Sequence, residues 1–275
     1  MKLPVSYLFV PGDRPDRFAK ALASAADAVI IDLEDAVSAD NKFAARDHVR
    51  AWDASRARDQ NRAGGSERVL LRINDASTAW FEADLEVARE CSIYGVVLPK
   101  AEHPRDISRV AGALAKGGFV VPLIETARGV QAVDELASVD GVQRFAFGTL
   151  DYAFDLGLSG DERGLLYPAC RMAIASKVAG IASPIAGVTT EIDNDARLDA
   201  DLAFARACGF GAKLCIHPRQ LALTQRAFAP TAEEIAWAQR VIAAVQSGRG
   251  AVQVDGKMVD RPVILHAQAI LERAS

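Results

Sequence analysis

The sequence predicts an α/β fold: a closed (β/α)8 TIM barrel with a C-terminal helical extension. Three observations predict it. Eight short apolar runs recur along the 275 residues, with helix-like segments between them. The runs are almost unbroken rather than alternating, as parallel strands covered on both faces are. Neither GxGxxG nor a GxxxxGK loop follows an early run, where an open doubly wound sheet would carry one. The length suits one barrel of roughly 250 residues with a tail beyond it.

The first run, YLFVP, is broken by Pro11-Gly12 and followed by a helix-like segment from Asp16 to Ala26. AVIIDLE comes next, then a helix over Lys42 to Arg58, whose apolar residues fall at three- and four-residue spacings. A polar, glycine-rich insert, RDQNRAGGSE, reads as a surface loop before RVLLRIN. A helix from Trp80 to Cys91 precedes YGVVLPK, and FVVPLIET and RFAFGTLD follow. SPIAGVTT leads into a helix over Asp195 to Cys208, and AKLCIHP closes the barrel, with a helix near Arg219 to Ala227. The barrel is assigned to residues 1–228 and the extension to 229–275. In the extension, Pro230-Thr231 before Glu233-Glu234 starts a helix, Asp255-Gly256 marks a turn and Pro262 opens a last helix. This tail exceeds what a barrel needs, so it is expected to pack on a neighbouring subunit or over the active site.

Composition narrows the function. A net charge of −4 provides no basic surface for nucleic acid or anionic lipid. The four cysteines form no CxxC pair, which argues against a structural zinc or a disulfide framework and suits a reducing compartment. No stretch approaches the roughly 20 apolar residues of a membrane span, so a cytoplasmic protein is expected.

In a barrel the active site is built at the carboxyl ends of the strands. Those ends carry Asp32, Glu34 and Asp35; Arg72 and Asn74; Lys100; Glu125; Asp151; Thr189 and Thr190; and His217. Glu125 and Asp151, from adjacent strands, are placed to share one hard divalent cation, Mg2+ or Mn2+. Arg72 offers a fixed fork for a substrate carboxylate. A metal and an arginine together suit a 2-oxo or 2-hydroxy acid. The competing readings are structural. Glu125 could cap the following helix. Asp32, Glu34 and Asp35 form a network orienting Arg72 or metal-bound water, through which Glu34 and Asp35 join the catalytic set. Lys100 is either a Schiff-base nucleophile or, beside Glu102, a charged and paired lysine. His217 reads as a structural or cofactor-rim histidine.

These residues sit in motifs that resemble a known family. The opening SYLFVPGDRPDRFAKALASAADAVIIDLEDAV, then LLRIN, GVVLPKAE, PLIETARGV, AFGTLDYAFDLG, SPIAGV, KLCIHPRQ and GKMVDRP, are similar to the citrate lyase beta subunit group of the HpcH/HpaI aldolase superfamily. The resemblance runs through essentially the whole chain. It implies a Mg2+-dependent barrel, commonly a homotrimer, that cleaves or forms C–C bonds in CoA thioesters such as citryl-, citramalyl- or malyl-CoA. It implies that Arg72 holds the oxo-acid carboxylate, that Glu125 and Asp151 bind the metal, and that backbone amides at Gly148, Thr149 and Leu150 contact the substrate. It makes Asp260 the acid/base at the acetyl-CoA methyl, and Arg14, Lys42 and His217 contacts to CoA. Two departures stand out: Val5 replaces a usual arginine, and Ala26 a usual glycine. A metal-dependent aldolase for free 2-oxo acids, or a beta subunit needing an acyl-carrier partner, remain open alternatives.

Overall fold

The computed structural model describes residues 3–58, 68–160, 162–246 and 253–274. The insert read as a surface loop falls, over 59–67, outside the described residues. Eight parallel strands close into a barrel in sequence order: β1 (Ser6–Pro11), β2 (Ala28–Asp32), β3 (Val69–Arg72), β4 (Gly95–Leu98), β5 (Phe119–Ile124), β6 (Ala146–Phe147), β7 (Ile185–Ala186) and β8 (Ala212–Cys215). Every apolar run of the sequence supplies one strand, and β8 pairs back onto β1 through Tyr7 and Leu214. The helices around the barrel are α1 (Phe18–Leu22), α2 (Lys42–Arg58), α3 (Phe81–Glu90), α4 (Pro104–Ala113), α5 (Ala127–Ala137), α6 (Thr149–Asp155), α7 (Arg163–Ala179), α8 (Asp195–Ala207) and α9 (Leu221–Phe228). Alternate strand residues fill the interior, among them Tyr7, Ile30, Leu70, Val97, Val121 and Leu214.

The first helix is shorter than its sequence pattern. A 3-10 turn at Pro15–Arg17 precedes it. At its end the Ser24 hydroxyl donates to Ala21 O (2.5 Å) and accepts from Ala26 N (3.3 Å), which turns the chain toward β2. Strands β6 and β7 are also short. A Cβ at Gly187 would lie 2.6 Å from Thr149 Oγ1 and 2.7 Å from Phe147 O, so the ends of these strands approach more closely than a side chain permits.

The chain divides into two compact units, Met1–Thr224 and Gln225–Ser275. The second unit contains α10 (Ala232–Gln246), a hairpin of β9 (Gln253–Val254) and β10 (Lys257–Met258), and α11 (Arg261–Ala274). Thr231 and Glu234 form a reciprocal capping box at the start of α10, at 3.1 and 2.7 Å. Asp255 and Gly256 both take positive φ in the hairpin turn. A small core of Ala238, Val241, Val254, Ala267 and Ile270 holds the unit together. Among the described residues no helix is long and apolar enough to cross a membrane.

Candidate active site

The carboxyl ends of the strands open onto a cleft of about 340 Å3, and Arg72, Glu125, Gly148, Thr149, Leu150 and Asp151 all line it. The ladder explains the convergence. Asp32 and Arg72 are register partners at the ends of β2 and β3, and Ile124 and Phe147 at the ends of β5 and β6. Neighbouring strands therefore bring Asp32 beside Arg72, and Glu125 beside Gly148.

Arg72 is gripped before any ligand arrives. Its Nε and Nη2 donate to the two oxygens of Asp32 at 2.7 and 2.6 Å, the bidentate geometry of a strong pair. Glu34 Oε2 lies 2.9 Å from Nη1, off the N–H direction, so it is paired by charge without a hydrogen bond. Asp35, exposed, stands 3.5 Å from the same nitrogen. The guanidinium also lies over the Phe9 ring, 4.8 Å from its centroid. Burial works against the Arg72 charge, but Asp32, Glu34 and Asp35 outweigh it and raise its pKa.

Glu125 is not the cap of α5. Thr126 takes that position, accepting from Gly129 N at 3.0 Å, and Asp155 accepts from Ala127 N at 2.8 Å. The Glu125 carboxylate, 3% exposed, accepts from the Lys100 backbone N–H at 2.8 Å. Lys100 reaches this position with φ of 45°, a strained conformation for a residue with a side chain. A Cβ on Gly148 would fall 2.4 Å from Glu125 Oε2, so only glycine leaves the carboxylate its place. Burial pushes the Glu125 pKa up to about 8, with Glu34 and Asp151 adding to it and the Lys100 amide opposing. Burial likewise raises Glu34 to about 7.

Asp151 lies in the first turn of α6, close enough to act on Glu125 electrostatically. Among the described residues no three acidic, histidine or cysteine side chains surround one point. Two carboxylates with open positions are what Mg2+ takes, because water and substrate oxygens complete its shell. The local charge agrees, since Asp32, Glu34, Asp35, Glu125 and Asp151 outnumber Arg72 and Lys100. The residues present therefore fit a hard divalent cation.

Several expectations are corrected. The Gly148 amide donates to Ile124 O at 2.9 Å and is not free for substrate. The Thr149 and Leu150 amides begin α6 and have no intrahelical acceptor. Lys42 is 6% exposed, and its ammonium donates to Leu33 O, Glu34 O and Asn74 Oδ1 at 2.6–2.8 Å. All three donors are used in fixing the Asp32–Asp35 loop, so Lys42 is not available to a CoA phosphate. Lys100 pairs with Glu34 (3.6 Å) and Asp75 (3.8 Å), not with Glu102, which binds Thr126 and Arg128. These acids outweigh burial and raise the Lys100 pKa, which disfavours a Schiff base.

The remaining candidates lie elsewhere. Arg14 is exposed and forked onto Asp16 at 3.1 Å. His217 Nδ1 accepts from Arg219 N (3.2 Å) and caps the turn Pro218–Gln220. Asp260 belongs to the second unit, where its Oδ1 accepts from Val263 N at 3.1 Å and caps α11. Sequence reasoning missed Phe9 and Asp84. Asp84, fully buried on α3, binds Arg46 at 2.6 Å and the Asn74 amide at 2.8 Å, and so supports the loop from below. An acid within the apolar stripe of an amphipathic helix is the signal that could have found it.

Fold and site together define a lyase built on a (β/α)8 barrel with an oxygen-donor cation site beside an arginine. The chain belongs to the HpcH/HpaI aldolase/citrate lyase family, whose model matches residues 5–218. A citrate lyase subunit beta-like protein of Mycobacterium tuberculosis is 37% identical over 274 residues, covering 98% of this chain and 94% of that protein. A (3S)-malyl-CoA thioesterase of Cereibacter sphaeroides is 32% identical over 275 residues, covering 98% and 94%. The crystal structure of the M. tuberculosis protein CitE in complex with magnesium, acetoacetate and coenzyme A superposes with a TM-score of 0.83, at 35% identity, over 98% of this chain and 97% of that one.

Proposed function

We propose that the protein is a Mg2+-dependent lyase that cleaves a β-hydroxyacyl-CoA of the citryl, citramalyl or malyl type into acetyl-CoA and a 2-oxo acid. The observation that carries this reading is the shared cleft of Arg72, Glu125 and Asp151. The related structure bound to magnesium, an oxo acid and coenzyme A supports it.

Glu125 and Asp151 would hold the cation, which when bound supplies Lewis acidity at the hydroxyl that becomes a carbonyl. Arg72, immobilised by Asp32 and Glu34, binds the carboxylate next to that hydroxyl and fixes the bond to be broken. The Thr149 and Leu150 amides add donors toward the same carboxylate. As the hydroxyl gives its proton to water, the C–C bond breaks and its electron pair moves to the thioester α-carbon. Asp260 acts as the acid that delivers a proton to that carbon, giving acetyl-CoA; in the reverse direction it is the base. Arg14 and His217 contact the CoA end. The working form is a cytoplasmic homotrimer in which residues 229–275 complete a neighbour's site.

The test is a panel of citryl-, citramalyl- and malyl-CoA, with and without Mg2+, followed by product analysis. Acetyl-CoA and the oxo acid appearing only with the metal is the expected result. Absence of turnover of all three would overturn the reading. The malyl-CoA thioesterase relative motivates a second reading, hydrolysis of the thioester. It predicts free CoA with the hydroxy acid intact. Aldol activity on free 2-oxo acids, or turnover only with an acyl-carrier partner, would favour the other two alternatives.

A further inference from the structure

A second cavity, of about 330 Å3, lies behind the active-site cleft, between the ends of β6 and β7 and helix α8. The two share Phe147, Thr149, Leu150 and Val188. Arg72, Glu125 and Asp151 line only the cleft, and Arg197, Asp201 and Lys213 only the second cavity. Its wall is largely apolar, with Leu158, Leu165, Phe204 and Phe210 contributing.

Lys213 is the anomaly. Ala212 and Leu214 point into the barrel core, so Lys213 points outward, where strand residues normally meet helices with apolar side chains. It is 2% exposed, yet it lines the cavity. Its ammonium donates to Gly187 O, the only hydrogen-bond partner it has among the described residues. Asp201 is already engaged, by Arg197 at 2.7 Å through one oxygen and by the Thr189 hydroxyl through the other. Arg197 in turn also holds Glu162 at 2.8 Å. Lys42, equally buried, shows what a satisfied lysine looks like here: three donors and three acceptors. Lys213 has two donors left over and no carboxylate of its own, a costly arrangement for a buried cation.

We propose that this cavity is a binding site for a small monocarboxylate with an apolar body, whose carboxylate accepts the two remaining N–H groups of Lys213. The volume admits about ten non-hydrogen atoms, at the ~30 Å3 that a water molecule takes up in the liquid. A short-chain or aromatic acid meets both demands. Burial, with the Arg197 charge adding to it, lowers the Lys213 pKa to about 8 against the pull of Asp201, and an anion in the cavity raises it again.

The experiment measures binding of benzoate and hexanoate to the full chain by calorimetry, with benzyl alcohol and hexanol as uncharged counterparts. Each acid should bind about tenfold or more tightly than its alcohol. Lys213→Met should abolish that preference while leaving the alcohols unaffected. Ala153→Phe, which fills the cavity from its half-buried rim, should weaken acids and alcohols alike by about tenfold, and serves if Lys213→Met fails to fold. No binding of either acid at millimolar concentration, or full binding to Lys213→Met or Ala153→Phe, would each overturn the proposal.

Discussion

Glu125 is held where burial, Glu34 and Asp151 all oppose its charge, and one backbone amide is its sole hydrogen-bond donor among the described residues. A group so placed contributes little to the fold and much to whatever cation it binds. Glu125→Gln should therefore lower kcat about 10²- to 10⁴-fold. In thermal melts without metal it should be as stable as the parent or more so, because a like charge has been removed. Arg72 behaves oppositely, because Asp32 and Glu34 depend on it. Arg72→Lys keeps a charge but loses the fork, and should reduce kcat/KM about 10- to 100-fold. Arg72→Met takes from buried Asp32 its cationic partner and from Glu34 the nearer of its two, and should cost about 3–5 kcal/mol in urea denaturation. Lys213 yields a pH signature. Below pH 8 it is charged in the folded and unfolded states, and the burial penalty is fully present. Between about pH 8 and its ordinary value of 10.5 the unfolded chain binds more protons, so stability rises with pH. Asp201, Cys215 and Arg197 act on the same group. The parent should gain on Lys213→Met by on the order of 3 kcal/mol from pH 7 to 10.5, read from denaturation midpoints.

At the scale of elements, the strand ends do the positioning, and Gly148 is where that can be tested. Its φ of −84° imposes no strain on a larger residue, so only the contact with Glu125 opposes substitution. Gly148→Ala should weaken Mg2+ about 10- to 100-fold in activity titrations and also lower the melting temperature, because the added Cβ meets Glu125 Cβ at 2.5 Å as well as its carboxylate. The elements also show why part of the molecule was legible in its sequence. Strands buried on both faces become unbroken apolar runs, so each run marked a strand, and the first charged residue after it marked the rim. Arg72, Glu125 and Asp151 could be read in that way. Lys42 could not, because a lysine satisfied by two carbonyls and Asn74 has the same letter as one free to bind phosphate. The Lys100 amide was equally hidden, since a backbone conformation at φ 45° leaves no trace in side-chain chemistry. The first helix was overread because the Ser24 hydroxyl, not the apolar pattern, decides where it stops.

At the scale of the whole molecule, the proposed role of Asp260 gives the second unit a part that can be tested separately from its fold. Asp260 caps α11 through Val263 N, a role that asparagine fills equally well. Asp260→Asn should thus change stability by less than about 0.5 kcal/mol. If Asp260 moves the proton at the thioester methyl, the variant should lose both turnover and deuterium exchange into acetyl-CoA while still binding Mg2+ and oxo acid. A structural role alone would leave the exchange intact. A site shared between subunits would have a sharper consequence. Glu125→Gln and Asp260→Asn chains expressed alone should each lose most activity, but on co-expression a site that draws Glu125 from one protomer and Asp260 from the next would be restored wherever the two variants meet in the right order. Random mixing in a closed ring places that pair at about one quarter of the sites, so about a quarter of the parent activity should return. Mixed assemblies that stay inactive would mean that Asp260 serves the barrel of its own chain.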